Sequence, residues 1–155
     1  MNSFVKCFLC LLGSISLLSG CNDQKDLSAK DPVWDRQVCD RCQMALSDRY
    51  FAAQILDKQT GKRFYFDDLG CALVWMKAKS GKPIDQFILY ATAADSGKWL
   101  DVRKSVIART FVTPMSYGFG VLKSSADVAA DKKTLTFEQA LEAANNVSRT
   151  HGHGH

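Results

Sequence analysis

Apolar residues fall along the chain in short runs set off by polar turns, which predicts strands and helices in succession. Tyr50–Leu56 (YFAAQIL) and Arg63–Phe66 (RFYF) flank a polar turn, KQTGK, that contains Gly61; this pattern predicts a β-hairpin. Leu69, Leu73 and Met76 then recur at helical spacing from a cap at Asp67 or Asp68 to about Lys79. Cys71, Val74, Trp75 and Ala78 cover much of the remaining circumference, and a helix apolar nearly all round belongs inside the core. Ser80–Pro83 (SGKP) ends it, and Phe87–Ala91 reads as a further strand.

The second half repeats this order loosely. Val106–Val112 and Phe119–Leu122 read as strands. Thr136 and Gln139 form the two ends of a capping box that opens a helix from Phe137 to about Asn145. The predicted class is α+β, built from two hairpin-and-helix units, with FDDLGCALVWM and LTFEQALEAAN as weakly similar helical segments.

The two ends of the chain differ from this body. Lys6 precedes an apolar run from Cys7 to Leu18, shorter than the ~20 residues that span a bilayer, so the start reads as a secretory signal. Leu18-Ser19-Gly20-Cys21 resembles the lipobox of bacterial lipoproteins, which implies cleavage before Cys21 and lipid attachment to it. Asn22 after that cysteine implies sorting to the outer membrane, on its periplasmic side. The organisation is therefore a signal at 1–20, a lipidated Cys21 and polar flexible tether through residue 37, a domain at 38–147, and a disordered tail at 148–155 ending HGHGH.

Processing at Cys21 leaves 135 residues, enough for one domain with a real core, and lowers the formal charge from +4 to +3. Lys and Arg form no basic stripe, so no nucleic-acid footprint is present. Of six cysteines, Cys7 and Cys10 leave with the signal and Cys21 becomes a thioether. Cys39, Cys42 and Cys71 remain, an odd number that disulfides within one chain cannot satisfy.

VCDRCQM at 38–44 allows four readings. A zinc ribbon needs a second pair of ligands, and Cys71 and the tail histidines are all that remain. A redox pair needs a strand before it and a helix after it, which the neighbouring residues do not provide. A Cys39–Cys42 disulfide is sterically open and suits an exported protein. In an extended segment, however, Cys42 and Met44 project to the same side, and thiolate with thioether selects Cu(I). Cys71, among Leu and Trp in the helix, is expected as a buried structural thiol, and Asp67 and Asp68 as caps. No acid–base pair, nucleophile triad or phosphate loop is present, so the chain reads as a binding protein rather than an enzyme.

CDRCQM near the start of a lipoprotein, AAQI after it, FYFDDLGCAL, and Met115 within TPMSYGFG together make residues 38 to 145 similar to the NosL family of nitrous oxide reductase accessory lipoproteins. That resemblance implies two ββαβ modules like the core of organomercurial lyase. It also implies one Cu(I), delivered for the reductase's copper centres beside a membrane transporter assembly or to the apo-reductase. The implied ligands are Cys42, Met44 and Met115, with Cys39 as helper. No histidine lies between Cys21 and Thr150, so an imidazole ligand must come from His151, His153 or His155 folding back. The rival reading is a periplasmic thiol–disulfide reductase that uses Cys39 and Cys42 to support metal-centre maturation.

Overall fold

A computed structural model describes residues 25–79 and 81–151. The signal-like segment, Cys21, His153 and His155 lie outside them, as does the side chain of His151. The order is β1 (Ala53–Asp57), β2 (Arg63–Phe66), α1 (Leu69–Lys79), β3 (Phe87–Thr92), β4 (Trp99–Asp101), β5 (Val106–Ala108), β6 (Gly120–Leu122), β7 (Thr134–Leu135) and α2 (Phe137–His151). The class is α+β, with two antiparallel sheets ordered β2-β1-β3-β4 and β6-β5-β7. A parallel bridge from Ala93 to Val121 joins them.

The hairpin forms where the turn chemistry places it. Asp57 Oδ1 accepts the N–H groups of Gln59 (2.8 Å) and Thr60 (3.2 Å), and Gly61 takes φ 73°, a conformation that suits glycine. Lys82 pairs with the other carboxylate oxygen at 2.6 Å. This hydrogen-bonded ion pair and the turn N–H groups hold Asp57 at a pKa of about 2, below its ordinary 3.8.

All five residues of β1 are buried, because the strand is covered on both faces. Helix α1 lies on one face. Its Trp75 ring packs 4.4 Å from Phe64 and 5.7 Å from Phe66, between centroids. The other face is crossed by residues 25–31, which the sequence places in a loose tether. Here that segment is strapped down. Buried Gln54 exchanges two hydrogen bonds with the backbone of Lys30, and Arg63 donates to the carbonyls of Ser28 (2.5 Å) and Asp26 (2.7 Å). Tyr90 Oη donates to the Leu27 carbonyl, and Trp99 Nε1 to Asp31. Polar side chains on the outer sheet face thus find partners in the segment's main chain, which satisfies both.

Helix α1 is buried nearly all round, as expected, with Leu69, Cys71, Ala72, Leu73 and Met76 at 0–1 % exposure. It can be so because α2 packs on the side away from the sheet, through buried Ala140 and Ala144. The capping box of α2 is present in both directions, Gln139 N–H to Thr136 Oγ1 and Thr136 N–H to Gln139 Oε1. The helix continues past Asn145 to His151, since no Gly or Pro interrupts it.

Two expectations need correction. The first unit follows strand, strand, helix, strand, but in the second β7 precedes α2, and among the described residues no strand follows it. The strand expected over Val106–Val112 stops at Ala108: Thr110 adopts φ 76°, and Val112 is 94 % exposed. The segment that leaves β5 there returns over the start of α1, where Tyr117 lies against Gly70 so closely that a Cβ at Gly70 would sit 1.9 Å from the ring.

Gly70→Ala is therefore expected to destabilise the fold by about 3 kcal/mol, seen as a lower urea midpoint. For Asp57 the folded pKa is depressed, so its stabilisation is complete above about 3.8 and lost as pH falls towards about 2. The stability gap between wild type and Asp57→Asn should accordingly close over that interval in acid denaturation curves.

Candidate metal centre

The Cys-x-x-Cys segment is held by a narrow ribbon. Asp35 N–H bonds to the Leu46 carbonyl and Leu46 N–H to that of Gln37, both at 2.9 Å, and Cys39 N–H bonds to the Met44 carbonyl at 2.8 Å. Asp40 fastens the ribbon to the free edge of β2. Its N–H donates to the Tyr65 carbonyl, and its Oδ2 accepts the Tyr65 N–H at 2.7 Å. This edge leads directly into Asp67 and the first turn of α1, so the two ribbon cysteines arrive beside Asp67 and Cys71.

The sulfurs of Cys39, Cys42 and Cys71 and a carboxylate oxygen of Asp67 all lie within 4.8 Å of one another. Cys39 and Cys71 are fully buried, Asp67 is nearly so, and Cys42 is half-buried. The three thiols are free, so the disulfide reading of Cys39 and Cys42 does not describe this state. These four groups can hold a metal ion. Thiolates favour soft ions, copper and zinc among them, and the geometry alone does not choose between them.

Hydrogen bonding distributes the protons unevenly. Cys39 accepts from the S–H of Cys71 and from the backbone N–H groups of Cys42, Arg41 and Asp67, which outweigh burial and bring its pKa down to about 6. Cys71 is pushed far up, first because its proton is held by that bond to Cys39 and then by burial. Burial raises Cys42 to about 12, and its S–H donates to Asp67 Oδ1 at 3.2 Å. The site is thus one thiolate, two thiols and a carboxylate, with an exchangeable proton on each of Cys42 and Cys71 that an incoming ion would displace.

Among the sequence-derived candidates, Cys39 and Cys42 belong to this cluster. Met44 sits otherwise than the extended-chain argument requires. Gln43 has φ 64°, which turns the backbone between Cys42 and Met44, and Met44 is 51 % exposed at the ribbon's surface. Met115 is partly buried against the core, in the segment docked on the start of α1, and its N–H donates to Asp68 Oδ2 at 3.1 Å.

Cys71 and Asp67, taken from the sequence as a structural thiol and a cap, are the two additions. The capping role falls to Asp68, whose Oδ1 accepts the Gly70 N–H at 2.8 Å. The spacing Asp67-x-x-x-Cys71 carries the relevant signal, since residues four apart at a helix start share a face. A search against protein-family models and the curated proteins finds no match to this chain.

In protein with Cys7, Cys10 and Cys21 replaced by serine, ultraviolet thiolate absorbance should rise by one thiol as pH passes about 6. Removing the S–H donor with Cys71→Ala should move that step upward towards 9.0, the ordinary value. Because the unfolded chain still carries that proton, wild-type stability should grow as pH rises from about 6 to 9.0, and by less in the variant.

Proposed function

We propose that this chain is a lipid-anchored, periplasmic Cu(I) carrier of the NosL kind, which delivers copper for assembly of the copper centres of nitrous oxide reductase. The observation that carries the reading is the convergence of three unoxidised thiols at one buried point, with one of them, Cys42, reaching the surface. A carrier has to protect a soft ion and also surrender it. Buried Cys39 and Cys71 suit protection, and half-buried Cys42 suits ligand-by-ligand exchange with a partner's sulfur.

The resemblance assigns ligation to Cys42, Met44 and Met115 with Cys39. The cluster supports Cys39 and Cys42 from that set and adds Cys71 and Asp67 as candidates. In this reading half-exposed Met44 would be an outer thioether, meeting copper before or after the buried sulfurs do. Helix α2 also favours a part for the tail histidines. Ser148 is bonded to Arg41 of the ribbon, and His151 follows one turn later in the same helix.

The thiol–disulfide exchange reading fits these positions less well. Exchange needs an accessible thiolate. The acidic thiol, Cys39, is fully buried, and the accessible one, Cys42, is held protonated.

Competitive Cu(I) titration of the chain with Cys7, Cys10 and Cys21 as serine tests the proposal. About one Cu(I) per chain is expected. Cys42→Ser and Cys71→Ser should each weaken binding by more than about tenfold, beyond the low end of outer-shell effects. Met44→Leu should weaken it by less than either. Absence of tight Cu(I) binding would sink the carrier reading, whereas disulfide turnover that survives Met44→Leu and disappears in Cys39→Ser would establish the rival.

A further inference from the structure

A cation is built into the thiol cluster. Arg41 lies in the ribbon between Cys39 and Cys42, and its side chain reaches across three other parts of the molecule. Nη1 lies 3.8 Å from Cys71 Sγ on α1, and Nη2 donates to Ser148 Oγ on α2 at 2.8 Å. The guanidinium carbon stands 5.8 Å from the ring centre of Tyr117, in the segment between β5 and β6. The side chain is half-buried, and Arg41 helps to wall a cavity of about 90 Å³ with Asp40, Val74, Trp75 and Ala78. Neither Ser148 nor Tyr117 gives this guanidinium a full negative charge to pair with.

Cu(I) held by all three sulfurs as thiolates adds one negative charge to the one that Cys39 already places in the cluster. A Cu(I) ion brings one positive charge and each thiolate that binds it brings one negative charge. Any site with more than one thiolate is therefore a net anion, and here it lies beside the Asp67 carboxylate in poorly solvated surroundings. An uncompensated buried anion is unfavourable, and a cation within about 4–6 Å relieves it.

We propose that Arg41 is the counter-cation of the loaded site, a positioning residue whose charge, rather than its packing, retains the ion. The proposal rests on the Cu(I) reading and deepens it. Retention then depends on a positive charge in the Cys-x-x-Cys segment as well as on sulfur, and Ser148 holds that charge over Cys71.

Two thiophilic probes separate charge from shape. Cu(I) bound by several thiolates gives an anion. Arsenite, As(OH)3, gives a neutral product: its three hydroxyls leave as water with the protons of Cys42 and Cys71 and one proton from solvent, three As–O bonds break, three As–S bonds form to the three sulfurs, and no oxidation state changes. Affinities for both are to be measured for wild type, Arg41→Gln and Arg41→Lys, all with Cys7, Cys10 and Cys21 as serine. Circular dichroism serves to verify folding.

Arg41→Gln keeps a polar group for Ser148 but removes the charge. It should weaken Cu(I) by about tenfold or more and leave arsenite bound no more weakly than by wild type. Arg41→Lys should recover most of the Cu(I) affinity. Unchanged Cu(I) affinity in Arg41→Gln overturns this proposal alone, as does equal weakening of both probes, which would make Arg41 a packing residue. Failure of Arg41→Lys to recover Cu(I) affinity also overturns it. A wild type that binds arsenite but no Cu(I) overturns the carrier reading, and this proposal with it. A wild type that binds no arsenite overturns the three-thiol geometry beneath both.

Discussion

The carboxylate of Asp68 joins the two halves of the molecule. One oxygen caps α1 through the Gly70 N–H, and the other accepts from Thr113 Oγ1 at 2.6 Å and from the Met115 N–H at 3.1 Å. Thr113 Oγ1 in turn accepts the Gly118 N–H. Asp68 is fully buried, and burial is the main reason its pKa is raised. An isolated carboxylate there would be costly, and hydrogen bonds to a charged group, each worth about 1.5–3 kcal/mol, offset that cost. The consequence runs outward in steps. The Thr113–Gly118 segment is fixed to α1, Tyr117 settles on Gly70, and Arg41 lies over Tyr117 with its fork on Cys71 and Ser148.

This arrangement explains how cysteines far apart in the sequence come to share one point where a metal ion could be held. Each belongs to a rigid support: Cys39 and Cys42 to a ribbon sewn to β2 by Asp40, and Cys71 to a helix enclosed by sheet and second helix. Sulfurs on supports of this kind lose little freedom when they meet an ion, so the cost of ordering them is met on folding. The proton pattern works in the same direction, because the Cys71 S–H stabilises the Cys39 thiolate without any metal.

The elements that were legible in the sequence have strong local causes. The β1–β2 hairpin follows from the Asp57 turn and Gly61, α1 from its apolar circumference, and the start of α2 from the Thr136–Gln139 box. The short strands β4 and β7 were not legible: three and two residues carry no period, and pairing with β3 and β5 is what defines them. The early end of β5 was hidden as well, because Val112 looks like a core residue until the turn at Thr110 sends it outward. The site was half visible. Local spacing revealed Cys39 and Cys42. Met44 was misplaced by the assumption of an extended backbone, which the left-handed Gln43 breaks. Cys71 and Asp67 needed knowledge of which helix end faces the ribbon, a tertiary fact that Asp40 and the β2 edge determine.

The strap of residues 25–31 carries a consequence for the proposed delivery of copper. Gln54, Arg63, Tyr90 and Trp99 hold it to the sheet. Were Cys21 to carry acyl chains as proposed, only four residue steps would separate the lipid from Lys25, the first described residue, a span of at most about 14 Å. On the proposed reading, such a body would skim the bilayer instead of ranging through the space beyond it. Cargo exchange would then be a search in two dimensions, in which lateral diffusion and the orientation of the docked sheet would set the rate of meeting a recipient.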